Sequence, residues 1–289
     1  MILVNVVMTG LLCLLFAVLA RRHGVSPWIG ALAALWPGVL FAVGRDLSEP
    51  GSALLVVAGL TAVSRDRPGT AGLAWAGAVL WREQAIVIPA AYGCWWLFTL
   101  LLTPGRDLPF RAVLAWVTPL AAFTAWQAVA ASAIGEAPVL ASGEKNVVVP
   151  LTGLVPEAAG WVQLHDGVAG LVWLFQLALA LVIGGAAVLV GLRNRRWEII
   201  GVVAGLTLIL SASSNVWSGP AHLRYATDVV AAAWFVLLTS RSDAPERARR
   251  VGVPGAARRL LPALDLRGGL VTAQVAAALL ACSYLVRTP

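Results

Sequence analysis

Residues 65–103, RDRPGTAGLAWAGAVLWREQAIVIPAAYGCWWLFTLLLT, decide the fold. Beyond the charged turn at its start the stretch is apolar, with one adjacent ionisable pair, Arg82 and Glu83, in its middle. A helix rises about 1.5 Å per residue, so a single helix over 70–103 would be about 50 Å long, far more than a hydrocarbon core of about 30 Å requires. The stretch therefore reads as two helices, 70–81 and 85–103, that reverse at Arg82 and Glu83. Every later connection changes side if that choice changes.

Working outward, comparable apolar runs lie at 2–20, 26–44, 51–64, 110–133, 168–192, 197–212, 225–239 and 270–286. Of the 289 residues 60% are hydrophobic and 12% charged, against about 25% charged in a soluble domain. In lipid every backbone polar group needs a partner within its own segment, which selects helices. The expectation is an all-α, multi-pass bundle of about ten segments in the cell membrane, forming one domain over 1–289. The runs 51–64 and 70–81 are short for a crossing and read as a hairpin buried among longer helices. The first run is not a cleaved leader, because its basic pair, Arg21 and Arg22, follows the apolar stretch. Cys13, Cys94 and Cys282 all lie inside apolar runs without metal-ligand spacing, so they read as packing residues.

Alternating the segments across a bilayer gathers the connections 21–25, 65–69, 104–109, 193–196 and 240–269 on one side, with Arg111 and Glu198 at adjoining helix ends. That side holds 16 of the 21 Lys and Arg residues; the other holds Arg45, Arg82, Lys145, Arg224 and Arg287. Basic residues are retained in the cytoplasm, so both termini are expected outside. The net charge of +7 then reflects topology, and nucleic acid is not an expected partner. The outer connection 134–167 carries Val147, Val148, Leu154, Val155 and Trp161 and is expected to pack on the membrane surface. The basic stretch 240–269, broken by Pro and Gly, is expected to be a cytoplasmic linker lying against anionic lipid.

The same alternation collects polar residues outside: Arg45, Asp46 and Glu49 in GRDLSEPG, Arg82 and Glu83 in LWREQ, His165 and Asp166, and His222, Arg224, Tyr225 and Asp228 in AHLRYATD. Ionisable groups in lipid cost about 2.5–3.5 kcal/mol each unless paired or wet, so their presence calls for an explanation. In a functional reading Arg82 binds a phosphate and Glu83 positions a second group, each with its own partner because adjacent helical residues diverge. The blander reading is helix capping and ion pairing. His222, Arg224 and Tyr225 precede a helix, where arginine meets phosphate at a membrane surface and where Arg and Tyr also serve as interfacial anchors. Asp46 and Glu49 form a D-x-x-E pattern that suits a divalent metal, though capping uses the same residue types.

The chain has no D-x-D pair, nucleotide-binding glycine loop, nucleophile elbow or metalloprotease signature. The order of its features resembles the GT-C superfamily of membrane glycosyltransferases, which use polyprenyl-phosphate sugars on the extracytoplasmic face. The resemblance rests on the helix ending in Arg21 and Arg22, on ALAALWPGVLFAVGRDLSEPGSALLVVAGL, on RDRPGTAGLAWAGAVLWREQAIVIPAAYG with its Arg-Glu pair ahead of I-x-x-P, and on HLRYATDVVAAAWFVLL. It covers residues 1–105 well and 197–240 loosely.

The resemblance implies that Arg82 and Arg224, with His222 and Tyr225, meet the lipid phosphate and that Glu49 or Glu83 borders the sugar. In that family a catalytic carboxylate usually stands in a large first loop, between the first two helices, and no such loop is present near Met1. The expectation is therefore a chain shortened at its N-terminus that does not transfer sugar alone; turnover by the 289-residue form would make Glu49, Asp46 or Glu83 the general base. The expected activity is transfer of a sugar from a polyprenyl-phosphate donor to an extracytoplasmic acceptor, in contact with membrane lipids. The alternatives are a transporter or flippase for a lipid or lipid-linked sugar, and a non-catalytic membrane scaffold.

Overall fold

The computed structural model describes residues 2–45, 47–103, 109–138, 148–163, 167–212, 217, 224–240 and 266–285. They form α1 (Ile2–Arg22), α2 (Pro27–Ala33), α3 (Pro37–Arg45), α4 (Glu49–Val63), α5 (Pro68–Trp81), α6 (Val87–Leu102), α7 (Val113–Ile134), α8 (Leu154–Gln163), α9 (Gly167–Arg193), α10 (Glu198–Leu210), α11 (Thr227–Thr239) and α12 (Leu266–Leu285). Short 3-10 turns, Glu83–Ile86 and Phe110–Ala112, lead into α6 and α7. No strand occurs among the described residues.

Proline sets several of the breaks. Pro27, Pro37, Pro50 and Pro68 stand at helix starts, where a missing N–H costs nothing. Pro37 also disfavours helix at the residue before it, and the run read as 26–44 is accordingly two helices bent by 54°. The chain reverses where the Arg-Glu pair stands, because Arg82 is extended (φ −157°, ψ 115°). Trp75 and Tyr92, seventeen positions apart, have ring centroids only 5.8 Å apart. A straight helix would separate them by about 25 Å, so α5 and α6 are antiparallel.

Four helical stretches are long and apolar enough to cross a bilayer: Ile2–Arg22, Glu83–Leu102, Phe110–Ile134 and Gly170–Arg193, with the bent pair α2 and α3 as a fifth. They expose large side chains such as Leu3, Leu14, Leu101, Val129, Val182 and Leu189. A water-soluble surface rarely presents so much continuous apolar area, and the protein is read as a membrane protein on that ground. The expectation of about ten crossings is met only in its coarser form. Helices α4, α10 and α11 are shorter, at 15, 13 and 13 residues.

Two of the shorter apolar helices, α11 and α4, are well enclosed. Residues Thr227 to Leu238 of α11 are all buried, among α1, α4, α9 and α10, as an all-round apolar helix requires. Helix α4 is enclosed, in line with the buried-hairpin reading, whereas α5 exposes Leu73 and Leu80. Gln274 of α12 accepts from Trp234 Nε1 at 2.7 Å and donates to the carbonyls of Leu32 and Ala33. It thereby satisfies acceptors freed where α2 ends.

One end of the bundle is basic. There the Asp66–Arg111 ion pair (2.6 Å) joins the α4–α5 turn to the start of α7. His23 titrates below the usual histidine range, through burial first and then through Arg196, Arg267 and Arg22. Arg196 is paired with Glu198 and bonds Thr239. Arg267, read as part of the basic linker, is instead buried in the second position of α12 and donates to Leu237 O and Ser240 O, each at 2.8 Å. A guanidinium suits the carbonyls at the C-terminus of α11, which carry partial negative charge. At the opposite end the outer connection contains helix α8, which packs on α9, and Val148 and Leu151 donate to Ser211 O and Leu210 O at 2.7 Å.

Candidate functional site

Three short helices terminate together at the end opposite the basic one. Helix α4 begins with Glu49, α11 carries Asp228 in its first turn, and α5 ends at Arg82. Each charge complements its helix end, acids at N-termini and arginine at a C-terminus. What brings α4 and α5 together is a face of small residues. A Cβ on Gly51 would meet Trp81 at 2.6 Å, and one on Gly59 would meet Trp75 Nε1 at 2.2 Å. Trp75 also donates from Nε1 to Val56 O at 3.1 Å.

Arg82 is the hub. Its Nη1 donates to Arg224 O at 2.7 Å and lies 3.5 Å from Asp228 Oδ2, while Nη2 donates to Gln84 Oε1 at 2.6 Å and lies 3.9 Å from Glu49 Oε1. Arg224 Nε stands 3.1 Å from the same Glu49 oxygen. Both guanidinium carbons lie over the Tyr225 ring, at 5.4 Å for Arg82 and 5.2 Å for Arg224. The side chains of Glu49 and Arg82 are 1% and 8% exposed, but that of Arg224 is 33% exposed. Arg224 is thus the cation that meets the exterior.

Two arginines and two acids make up the group, so their formal charges balance, as burial favours. Their hydrogen bonding is incomplete, however: Glu49 Oε2 and Asp228 Oδ1 are buried without a hydrogen-bond partner, and the hydroxyl of Ser52, one turn along from Glu49, lies toward Asp228. Buried acceptors are seldom left so. The arrangement sets one accessible guanidinium beside two enclosed carboxylates. It can hold an anion at Arg224 and take a proton on a carboxylate.

Of the residues singled out from the sequence, Glu49, Arg82, Arg224 and Tyr225 come together here. Glu83 does not: its Oε1 accepts from Gln127 Nε2 at 2.8 Å and Trp126 Nε1 at 3.2 Å, both on α7. The extended backbone at Arg82 sends successive side chains to opposite sides. Asp46 and His222, with His165, Asp166 and Lys145, lie outside the described residues. No group of three His, Cys, Asp or Glu residues suited to a metal occurs among the described residues. Asp228, noted above among the outer polar residues of AHLRYATD without a role, belongs to the constellation; its signal is an acid four residues after Arg224, opening an otherwise apolar run.

Compared with protein-family descriptions, with characterised proteins and with solved structures, the chain matches none.

Proposed function

We propose that the protein is an integral membrane transferase of the GT-C kind, moving a sugar from a polyprenyl-phosphate donor to an extracytoplasmic acceptor at the Glu49–Arg82–Arg224–Asp228 constellation. The observation that carries this reading is the pairing of one accessible guanidinium, Arg224, with unpartnered buried carboxylate oxygens beside it. In this reading Arg224 takes the lipid phosphate and Arg82 holds Glu49 and Asp228 in place. Glu49 is the general base: it accepts the proton of the acceptor hydroxyl as that oxygen bonds to the anomeric carbon and the polyprenyl phosphate leaves.

The test is transfer from a polyprenyl-phosphate hexose in liposomes containing the purified chain; with Glu49 as base, turnover is expected here in place of the inactivity that the resemblance to the GT-C superfamily implied. Glu49→Gln should lower turnover by about a hundredfold or more, and Arg224→Ala should raise donor KM by roughly tenfold, the worth of one hydrogen bond to a charged group. Turnover unchanged in Glu49→Gln would remove Glu49 from the chemistry.

A second reading, a transporter for a lipid headgroup, is favoured by one observation. The buried helix α11 has an ionic cluster at each end, Arg82 with Asp228 at one and Arg196 with Glu198 at the other, so charged contacts for a headgroup stand on both sides of the bundle. Movement of a labelled donor lipid between leaflets without consumption of its sugar would select this reading. Neither transfer nor movement, with the variants folded, would reject both.

A further inference from the structure

At the basic end, outside the constellation just described, a cavity of about 200 Å³ opens between the α4–α5 turn, α6 and the start of α10. Its walls are aromatic: Tyr92, Trp95, Trp96 and Trp197, with Pro68 and Pro109 closing the sides and Asp66 at the rim. Tyr92, Trp95 and Trp197 form one ring cluster, with centroids 4.8 to 6.3 Å apart. The indole N–H of Trp96 is buried without an acceptor. Asp66 is held by Arg111 at 2.6 Å, and both side chains are more than 60% exposed.

These features limit the ligand. Aromatic faces attract cations and repel anions, so an anion alone does not fit. The Asp66–Arg111 pair is neutral, so a free cation gains little from the rim. A zwitterion answers both, because its ammonium turns to Asp66 and the aromatic walls while its phosphate turns to Arg111. An ion pair between two exposed side chains is weak and opens readily. The volume holds about six water-sized groups, enough for the ammonium arm and part of a phosphate. The cavity wall includes Pro109 and Ala112, which flank Phe110 and Arg111 in sequence; Phe110 is 83% exposed, and an acyl chain would lie against it.

We propose that this cavity is a headgroup site for an amine-bearing zwitterionic phospholipid of the leaflet at the basic end, with the ammonium in the aromatic box beside Asp66 and the phosphate at Arg111. The proposal is independent of the transferase reading.

The test is native mass spectrometry of the purified full chain, titrated with phosphatidylethanolamine and with phosphatidylglycerol of identical acyl chains. The ethanolamine lipid should bind about tenfold more tightly at one site, as expected for a partly desolvated cation over aromatic rings. Asp66→Asn should abolish the preference; asparagine tolerates the positive φ of 55° at this position. Trp95→Leu should abolish it too, and Trp95→Phe should keep most of it. Equal binding of the two lipids, a preference that survives Asp66→Asn, or one lost in Asp66→Asn but kept in Trp95→Leu would each overturn the proposal.

Discussion

Arg82 shows how one residue answers both to folding and to chemistry. Its guanidinium touches the carbonyl of Arg224 and three side chains from three elements, so its removal leaves Glu49 and Asp228 buried with one cation between them. Breaking a buried ion network on one side costs about 3–5 kcal/mol. Arg82→Ala is therefore expected to lower thermal stability in detergent by about that much, whereas Arg224→Ala, partly exposed, should cost about 1 kcal/mol. Melting of the two purified variants followed by size-exclusion chromatography checks this, and equal losses would contradict the division of labour between the arginines. The site was legible in part, because Arg82 interrupts an apolar stretch in which an unpaired charge is costly, and Glu49 and Arg224 stand in connections that the alternation places on the same side. The place of Glu83 was not legible. It depends on the extended backbone of Arg82, which nothing in the letters R-E-Q announces.

At the scale of elements, the small-residue face of α4 decides where the charges meet. Gly59 faces Trp75, which is fully buried and cannot swing away. Overpacking such a contact costs about 1–3 kcal/mol. Gly59→Ala should lower the yield of folded protein and, by moving α5, weaken the Arg82–Glu49 contact; Gly69→Ala, where an added Cβ meets nothing within 4 Å, should be silent. Comparing the folded fraction of the two variants in membranes tests this, and a stable Gly59→Ala protein would show that α5 can shift without loss. Apolar runs made the helices readable, but length alone did not separate helices that face lipid from those that face protein. Helix α11 reads like any crossing, and only its neighbours reveal that it is wholly enclosed. Residues 26–44 read as one run despite Pro37, and the 54° bend there depends on what α2 and α3 pack against. The burial of Arg267 against α11 was likewise hidden, since its partners lie 27 and 30 positions away.

The whole molecule has two unlike ends, and the asymmetry yields the last prediction. Arg196, Arg267 and Arg22 converge on His23, and Arg111 pairs with Asp66. These residues come from the connections that the alternation of segments placed on one side. At the other end Arg82 and Arg224 are paired with acids, and Arg45 lies over the Phe41 ring. Basic residues near helix ends resist translocation, and they do so whether or not each short helix crosses alone. With 16 of 21 Lys and Arg residues assigned to one side, the basic end is expected to face the cytoplasm. In a variant lacking the three native cysteines, a cysteine placed at exposed Glu136 should therefore react with an impermeant maleimide in intact cells, and one at exposed Arg195 should react only after permeabilisation. Lys145→Cys and Arg250→Cys should repeat the two patterns. The opposite pair of results would invert the orientation, and the site at Glu49 would then face the cytoplasm. An extracytoplasmic acceptor would be excluded at once, while the helix packing and the ionic contacts would stand unchanged, because neither depends on which way the bundle is inserted.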